Sequence, residues 1–462
     1  MTTKISKRAR LDAYLKSRAF AGKREPPIPR REGEGPAPLS FGQEGIWRRA
    51  QSLPGVPLYN ETITIHRRGP LQSVALQRGL DEIVQRHEAW RTTFHGTDDG
   101  HVVQRVEPST PVSMPLHDLR GLPVADRLPE ALRMAAEDAC TPFDLSQGPL
   151  FRARLVRLGD DEHRLFMAVH QILLDGVSVY RVLVPELIAL HDAHVAGRVL
   201  ELPKLPIQVS DFATWQRGWL RGATLAHQVG YWEGQFVDLP EPLRWPPRDR
   251  PTRQTYGGAI TPFALSPKLG FALRALAARE GVTLFATFLA AFAHLLHSYT
   301  GQEDLVIGTP SPAGRKRSEV QGLLGYFLNP VALRMDLSAR PTFQELCAQA
   351  HLVVGEAVSH DDIPFEQIVE RLQADKDPSR HPLFTVAISQ EPPMPDVPGW
   401  DLTPMDVTSG GARWDLYLVL DDRRERGILG RVQYNPDLFE PAEIEGMIAD
   451  YRAVLEDVVV ER

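Results

Sequence analysis

The hydrophobic pattern of this chain switches repeatedly between helical and strand periods, in two stretches of similar size separated by a Pro- and Arg-rich segment, Pro240 to Pro251. A helix repeats its apolar face about every 3.6 residues and a strand about every two, so such switching demands an α/β fold of layered sheets and helices. In the first stretch Leu76, Leu80, Ile83, Val84 and His87 recur at helical spacing, followed by a short β-rich run, Arg91-Thr92-Thr93-Phe94. Leu150 to Leu158 alternates as a strand does, and Leu165 to Val169 forms an apolar strand ending at His170. Gly176 then breaks the chain, and Ser178 is placed to cap a helix through Leu183, Leu187 and Leu190. In the second stretch helical patterns cover 266–280, 283–299 and 342–358, and strands cover Leu305 to Gly308, Leu383 to Ser389, Trp414 to Leu420 and Leu429 to Tyr434. A last helix is expected from Pro441 to Val458. The expected division is 1–36 as a basic helix and linker, 37–205 as an N-terminal lobe and 206–462 as a C-terminal lobe, with a cleft or tunnel between the lobes.

Charge and cysteine content narrow the function classes. A net charge of −7 offers no basic face for nucleic acid, which is therefore not an expected partner. The two cysteines, Cys140 and Cys347, lie inside helical-looking patterns rather than at metal or disulfide spacing, which fits a reducing cytosol. Leu284 to Leu296 is too short for a membrane span and contains His294, and the N-terminus has no apolar signal-peptide core, so a cytoplasmic protein without membrane association is expected. Around Leu11, Tyr14 and Leu15 the first segment is basic and could form a short helix that docks a partner or is merely solvated. It leads into a Pro/Gly-rich connector, 26–36, with globular structure expected to begin near Ala37. His360, Asp361 and Asp362 could mimic a metal cluster, but the following Pro364-Phe365 makes them a loop before a helix, and no metal is expected. Arg315, Lys316 and Arg317 form a basic loop, which is expected to be solvated, or else to meet a phosphate group or an acidic protein face.

The segment His170-Gln171-Ile172-Leu173-Leu174-Asp175-Gly176 sets polar side chains on a turn at the end of an apolar strand. Such a turn either presents chemistry at the mouth of a core or is simply held together by its own hydrogen bonds. The wider sequence favours the first. Ser40-Phe41-Gly42-Gln43-Glu44-Gly45-Ile46-Trp47, Arg86-His87-Glu88-Ala89-Trp90-Arg91-Thr92-Thr93-Phe94, and Ser210-Asp211-Phe212-Ala213-Thr214-Trp215-Gln216-Arg217 occur in that order. Leu324-Gly325-Tyr326-Phe327-Leu328-Asn329-Pro330, His360 to Glu366, and Asp377 to Phe384 follow. Together with the turn, this ordered series resembles the condensation-domain family of nonribosomal peptide synthetases from about residue 37 onward.

The resemblance implies two chloramphenicol-acetyltransferase-like lobes in a V-shaped pseudo-dimer with a central tunnel. It also implies amide formation between a carrier-bound acyl or peptidyl thioester donor and a carrier-bound amine acceptor. Phosphopantetheine would arrive on the carriers, with no cofactor held by the domain itself. Donor and acceptor carrier proteins and neighbouring synthetase domains are the implied partners, a tailoring enzyme is a further one, and a monomer is expected. Carried over position by position, His170 matches the first histidine of the family's His-His-x-x-x-Asp-Gly motif, and Gln171 the second, reactive one. Asp175 and Gly176 match its aspartate and glycine, with Asp175 expected to be structural and paired to Arg86 or Arg91. Ser178, Asn329 and Tyr326 are expected along the tunnel. Gly45 and Pro330 depart from the pattern, standing where arginine and threonine are usual.

Gln171 is the departure that matters most. A carboxamide cannot exchange a proton near neutral pH, so Gln171 positions and cannot deprotonate. General-base help is worth about 10²–10⁴-fold, and an α-amine with a pKa of roughly 8 is partly neutral at pH 7, so amide formation can persist without it. His170 should point to the opposite face of the strand. Three roles stay open: a working condensation domain in which Gln171 orients the amine, an inactive scaffold that recruits a tailoring enzyme or carrier, and a histidine-to-glutamine variant of an ordinary condensation domain.

Overall fold

The computed structural model describes residues 26–372, 377–393, 397–404 and 407–460. Leu11, Tyr14 and Leu15, the apolar face expected of the first segment, lie outside these residues.

Alternation along Phe151–Gly159 explains the first sheet. Phe151, Ala153 and Leu155 face one core, while Val156 and Leu158 face another built with Ala131, Ala135 and Ala139. A strand apolar on both faces must be covered on both. Helices Ser73–Arg86 and Val184–Val195 contribute to the first core, and Val124–Cys140 supplies the second. The five strands run in the order Trp400–Pro404, Asn60–Arg68, Glu162–His170, Phe151–Gly159 and Leu116–Asp118. All neighbours are antiparallel except the last pair.

The second sheet has six strands, in the order Asn329–Asp336, Asp304–Ser311, Val386–Gln390, Leu416–Asp422, Ile428–Tyr434 and Ala259–Leu265. Its core takes in most of helix Leu284–Thr300, from Ala286 to Ala293 and then Leu295 and Leu296. That helix begins where the Thr283 hydroxyl accepts the Ala286 N–H and stops at Gly301, whose φ of 67° is left-handed. Among the described residues no single helix is long and apolar enough to cross a membrane. A small sheet of Ala37–Pro38, Val102–Val106 and Thr92–Gly96 completes the strands.

Segments from late in the chain build the first half. Trp400–Pro404 pairs antiparallel with Asn60–Arg68, Trp400 opposite Arg67 and Pro404 opposite Ile63. Leu323, Leu324, Tyr326 and Phe327 share a core with Leu76, Leu80 and Trp90. The apparent connector is also structured. From Pro26 the chain lies on the protein: Ile28 is buried, its N–H donates to Glu319 at 3.0 Å, and the Arg30 guanidinium donates to the Leu205 and Pro206 carbonyls. Ordered structure therefore precedes Ala37, because a Pro-rich segment with little entropy to lose has partners to lie against.

Candidate active site

Strand Glu162–His170 runs into a single 3-10 turn, Gln171–Leu173, which points two adjacent polar side chains in different directions. His170 packs against Tyr59 and Phe143, with ring centroids 6.0 and 6.2 Å away, and its Nδ1 accepts the Ile172 N–H at 3.3 Å. Burial holds its pKa down to about 3, so the ring is neutral at any physiological pH. Gln171 borders a cavity of about 140 Å³ together with Glu61, Gly176, Glu391 and Arg413. Its Oε1 accepts a hydrogen bond from Arg413 Nη1 at 2.7 Å. Because a guanidinium only donates, this bond fixes the amide's orientation and leaves its NH₂ and the second Oε1 lone pair for other partners.

Arg413 was not singled out in the sequence. It stands between Glu61, 3.6 Å from its Nη2, and the Trp414 ring, 4.9 Å from its Cζ. It also borders a second cavity of about 490 Å³, lined by Gly45, Arg49, Tyr59, Tyr326, Asn329 and Glu366 among others. One guanidinium thus forms part of the wall of both spaces.

The expected ion pair of Asp175 with Arg86 or Arg91 is corrected: the partner is Arg315. Its Nε and Nη2 reach the Asp175 carboxylate at 3.0 and 2.9 Å, and both residues are almost fully buried. The loop of Arg315 is therefore not solvated at that residue. Arg86 instead meets Glu186 at 3.3 Å, and Arg91 donates to the Glu107 carbonyl. A buried carboxylate needs most of its lone pairs filled, and the Ser178 and Phe327 N–H groups fill the rest at 2.7 and 3.2 Å. Ser178 is not the expected helix cap. Asp175 accepts the Ser178 N–H, while the Ser178 hydroxyl donates to the Gly325 carbonyl at 2.9 Å and takes a bond from Arg315 at 2.6 Å. Asp175, Ser178 and Arg315 thus rivet the turn to the 315–327 segment.

Gly176 lies close to Glu391: a Cβ there would be 2.8 Å from Glu391 Oε2, so that flexible carboxylate would have to move aside. Asn329 lines the larger cavity, but its polar atoms are taken. Nδ2 donates to the Asp361 and Ile363 carbonyls at 2.8 and 2.7 Å, and Oδ1 accepts the Phe365 N–H at 3.1 Å. It shapes the loop before helix Phe365–Arg371. Tyr326 is buried beside it, and desolvation drives its phenol far above the ordinary range, so it stays neutral. The structure thus brings Gln171 and Gly176 to one cavity and Tyr326 and Asn329 to the other. It keeps His170 and Ser178 in packing positions. Among the described residues no cluster of His, Cys, Asp and Glu could hold a metal ion.

A family model described as "Condensation domain" matches residues 33–461. The chain belongs to the condensation-domain family of nonribosomal peptide synthetases. This condensation domain is 38% identical over 432 residues to one of the linear gramicidin synthase proteins of Brevibacillus parabrevis, covering 91% of this chain and 8% of that protein. It is 39% identical over 450 residues to phosphinothricin tripeptide synthetase PhsC of Streptomyces viridochromogenes, covering 95% of this chain and 40% of that protein. The chain thus spans well under half of either relative. Among solved structures, the X-domain from teicoplanin biosynthesis superposes with a TM-score of 0.79 at 28% identity, covering 94% of this chain and 98% of the other. The first condensation domain of the CDA synthetase superposes with a TM-score of 0.82 at 21% identity, covering 92% and 96%, which speaks for the fold alone. These neighbours share the chloramphenicol-acetyltransferase-like architecture.

Proposed function

We propose that this domain joins a carrier-bound acyl or peptidyl thioester to a carrier-bound amine, with Gln171 serving as a fixed hydrogen-bond donor in place of a base. It works in the cytosol beside other synthetase domains, and phosphopantetheine comes with the carriers. The Arg413–Gln171 hydrogen bond carries the proposal. Arg413 takes one of the two lone pairs on Oε1 and sets the amide's orientation, which turns the NH₂ into a donor for the thioester carbonyl while the second lone pair can still accept an amine N–H. The neutral amine attacks the carbonyl carbon, negative charge gathers on the oxygen under the Gln171 NH₂, and the C–S bond breaks. The departing thiolate takes up the proton the amine releases, giving an amide and a free thiol. A preorganised donor of this kind is worth about 10²–10³-fold, and holding both arms in one passage adds the proximity term.

Loaded donor and acceptor carriers, mixed with the chain and followed by product mass, test this. Amide should form with the native chain and slow by about 10²–10³-fold in Gln171→Ala. Unchanged turnover in Gln171→Ala would remove the donor role.

One observation favours a second role. The X-domain neighbour also appears in a complex described as "the X-domain and OxyB from Teicoplanin Biosynthesis", so this architecture can hold a tailoring enzyme. No amide from the native chain, together with micromolar binding of a tailoring enzyme of the same pathway, would establish that role instead.

A further inference from the structure

Glu366, at the start of helix Phe365–Arg371, is a carboxylate that lines the larger cavity and, among the described residues, forms no ion pair. Its side chain is exposed and faces that space. Among the described residues no ion pair or side-chain hydrogen bond reaches it, apart from the stabilising influence of its own backbone N–H. Desolvation pushes its pKa upward, with the charges of Arg49 and Arg48 opposing. An exposed carboxylate that lines a concave space and has no ion-pair partner is a group with which an incoming cation can pair.

The surroundings suit a cation. Gly45 lies against the carboxylate so closely that a Cβ there would be 2.6 Å from Glu366 Oε1, so the absence of a side chain at 45 keeps this face clear. Tyr59, Tyr256, Tyr326 and Trp414 give the cavity aromatic walls, the kind of surface over which ammonium and guanidinium groups settle. The two arginines that also line it make no ion pair with Glu366: Arg49 donates to the Tyr256 hydroxyl at 3.1 Å, and Arg413 holds Gln171 and lies 3.6 Å from Glu61. His381 is kept neutral by burial, with a pKa of about 3. Glu370 adds a second acidic group to the same lining.

We propose that this cavity is a specificity pocket for a carrier-bound substrate with a cationic side chain, an ammonium or guanidinium that pairs with Glu366. The proposal rests on the cavity being the passage for one of the two carrier-bound substrates.

Binding of unreactive mimics tests it without requiring turnover. Lysyl-pantetheine amide and norleucyl-pantetheine amide share an α-amine and a chain of similar length and differ in the terminal charge. Calorimetric titration at low salt should give about threefold to fivefold tighter binding of the lysyl compound, the value of one good ion pair at an exposed carboxylate. Glu366→Gln should abolish the preference while leaving norleucyl binding in place. Gly45→Arg, which sets a guanidinium beside the carboxylate, should abolish it as well. Equal affinity for the two mimics in the native protein, including no measurable binding of either, overturns the proposal. So does a Glu366→Gln variant that weakens both mimics alike, since that would make the carboxylate a partner of the α-amine or a structural group. Failure of the carrier assay with this preference intact would count against turnover and not against the pocket.

Discussion

Arg413 decides what a histidine at position 171 could do. With a guanidinium 2.7 Å from the present side chain, an imidazole there either accepts the Arg413 hydrogen bond and gives up its lone pair, or sits unpaired beside a positive charge that lowers its pKa. Gln171→His alone is therefore expected to gain less than about tenfold, well short of the ~10²–10⁴-fold of an unhindered base. A pH–rate profile checks it: a full gain with an inflection near 6.5 would mean that Arg413 yields its place. His170 gives a separate prediction, about stability. Its folded pKa of about 3 lies below the unfolded value near 6.5, so between those limits the unfolded chain binds the proton and the folded one does not. The stabilisation is whole above pH 6.5 and is lost as pH falls toward 3. Native protein should lose roughly 2 kcal/mol more than His170→Asn between pH 7 and pH 5 in denaturant titrations. The motif itself was legible because its residues are contiguous. Arg315 and Arg413 were not, since they lie 140 and 242 positions from the groups they hold and no periodicity joins them. Arg315 even read as solvated, because a basic run looks alike whether or not one member turns inward.

At the level of elements, the buried pair of Asp175 and Arg315 fastens a turn to a distant segment, so Arg315→Met should strand a carboxylate and cost about 3–5 kcal/mol, read from the denaturation midpoint. Asn329→Ala frees the Asp361 and Ile363 carbonyls and the Phe365 N–H. Faster amide exchange confined to the 361–366 loop is the expected signature, and exchange spread through the whole sheet would show that Asn329 supports more than that loop. Long elements with strong periods came through in the sequence: 283–299 anticipates Leu284–Thr300, and Leu429 to Tyr434 anticipates Ile428–Tyr434. Trp400–Pro404 did not. With Asp401 and Pro404 in five residues it carries no strand pattern of its own, and the edge of Asn60–Arg68 makes it a strand. The Ser178 cap failed for a related reason, because its hydroxyl is drawn to Gly325 by tertiary packing.

Across the molecule, the second half lends parts to the first. Removing everything after residue 205 bares the Asn60–Arg68 edge and takes Phe212, Leu324, Phe327 and Trp400 out of the first core. Such a fragment is expected to aggregate, and a monodisperse, folded fragment on size-exclusion chromatography would show that the core closes without them. Arg413 has a consequence on the same scale. Since one guanidinium borders both cavities, a ligand in either space that competes for its hydrogen bonds changes the field felt in the other. Coupling of that kind is reciprocal by thermodynamic necessity: whatever factor occupancy of one cavity imposes on affinity in the second, occupancy of the second imposes on the first. Ligands in the two cavities would then bind as linked events, with the order of arrival free and the energy of the pair fixed.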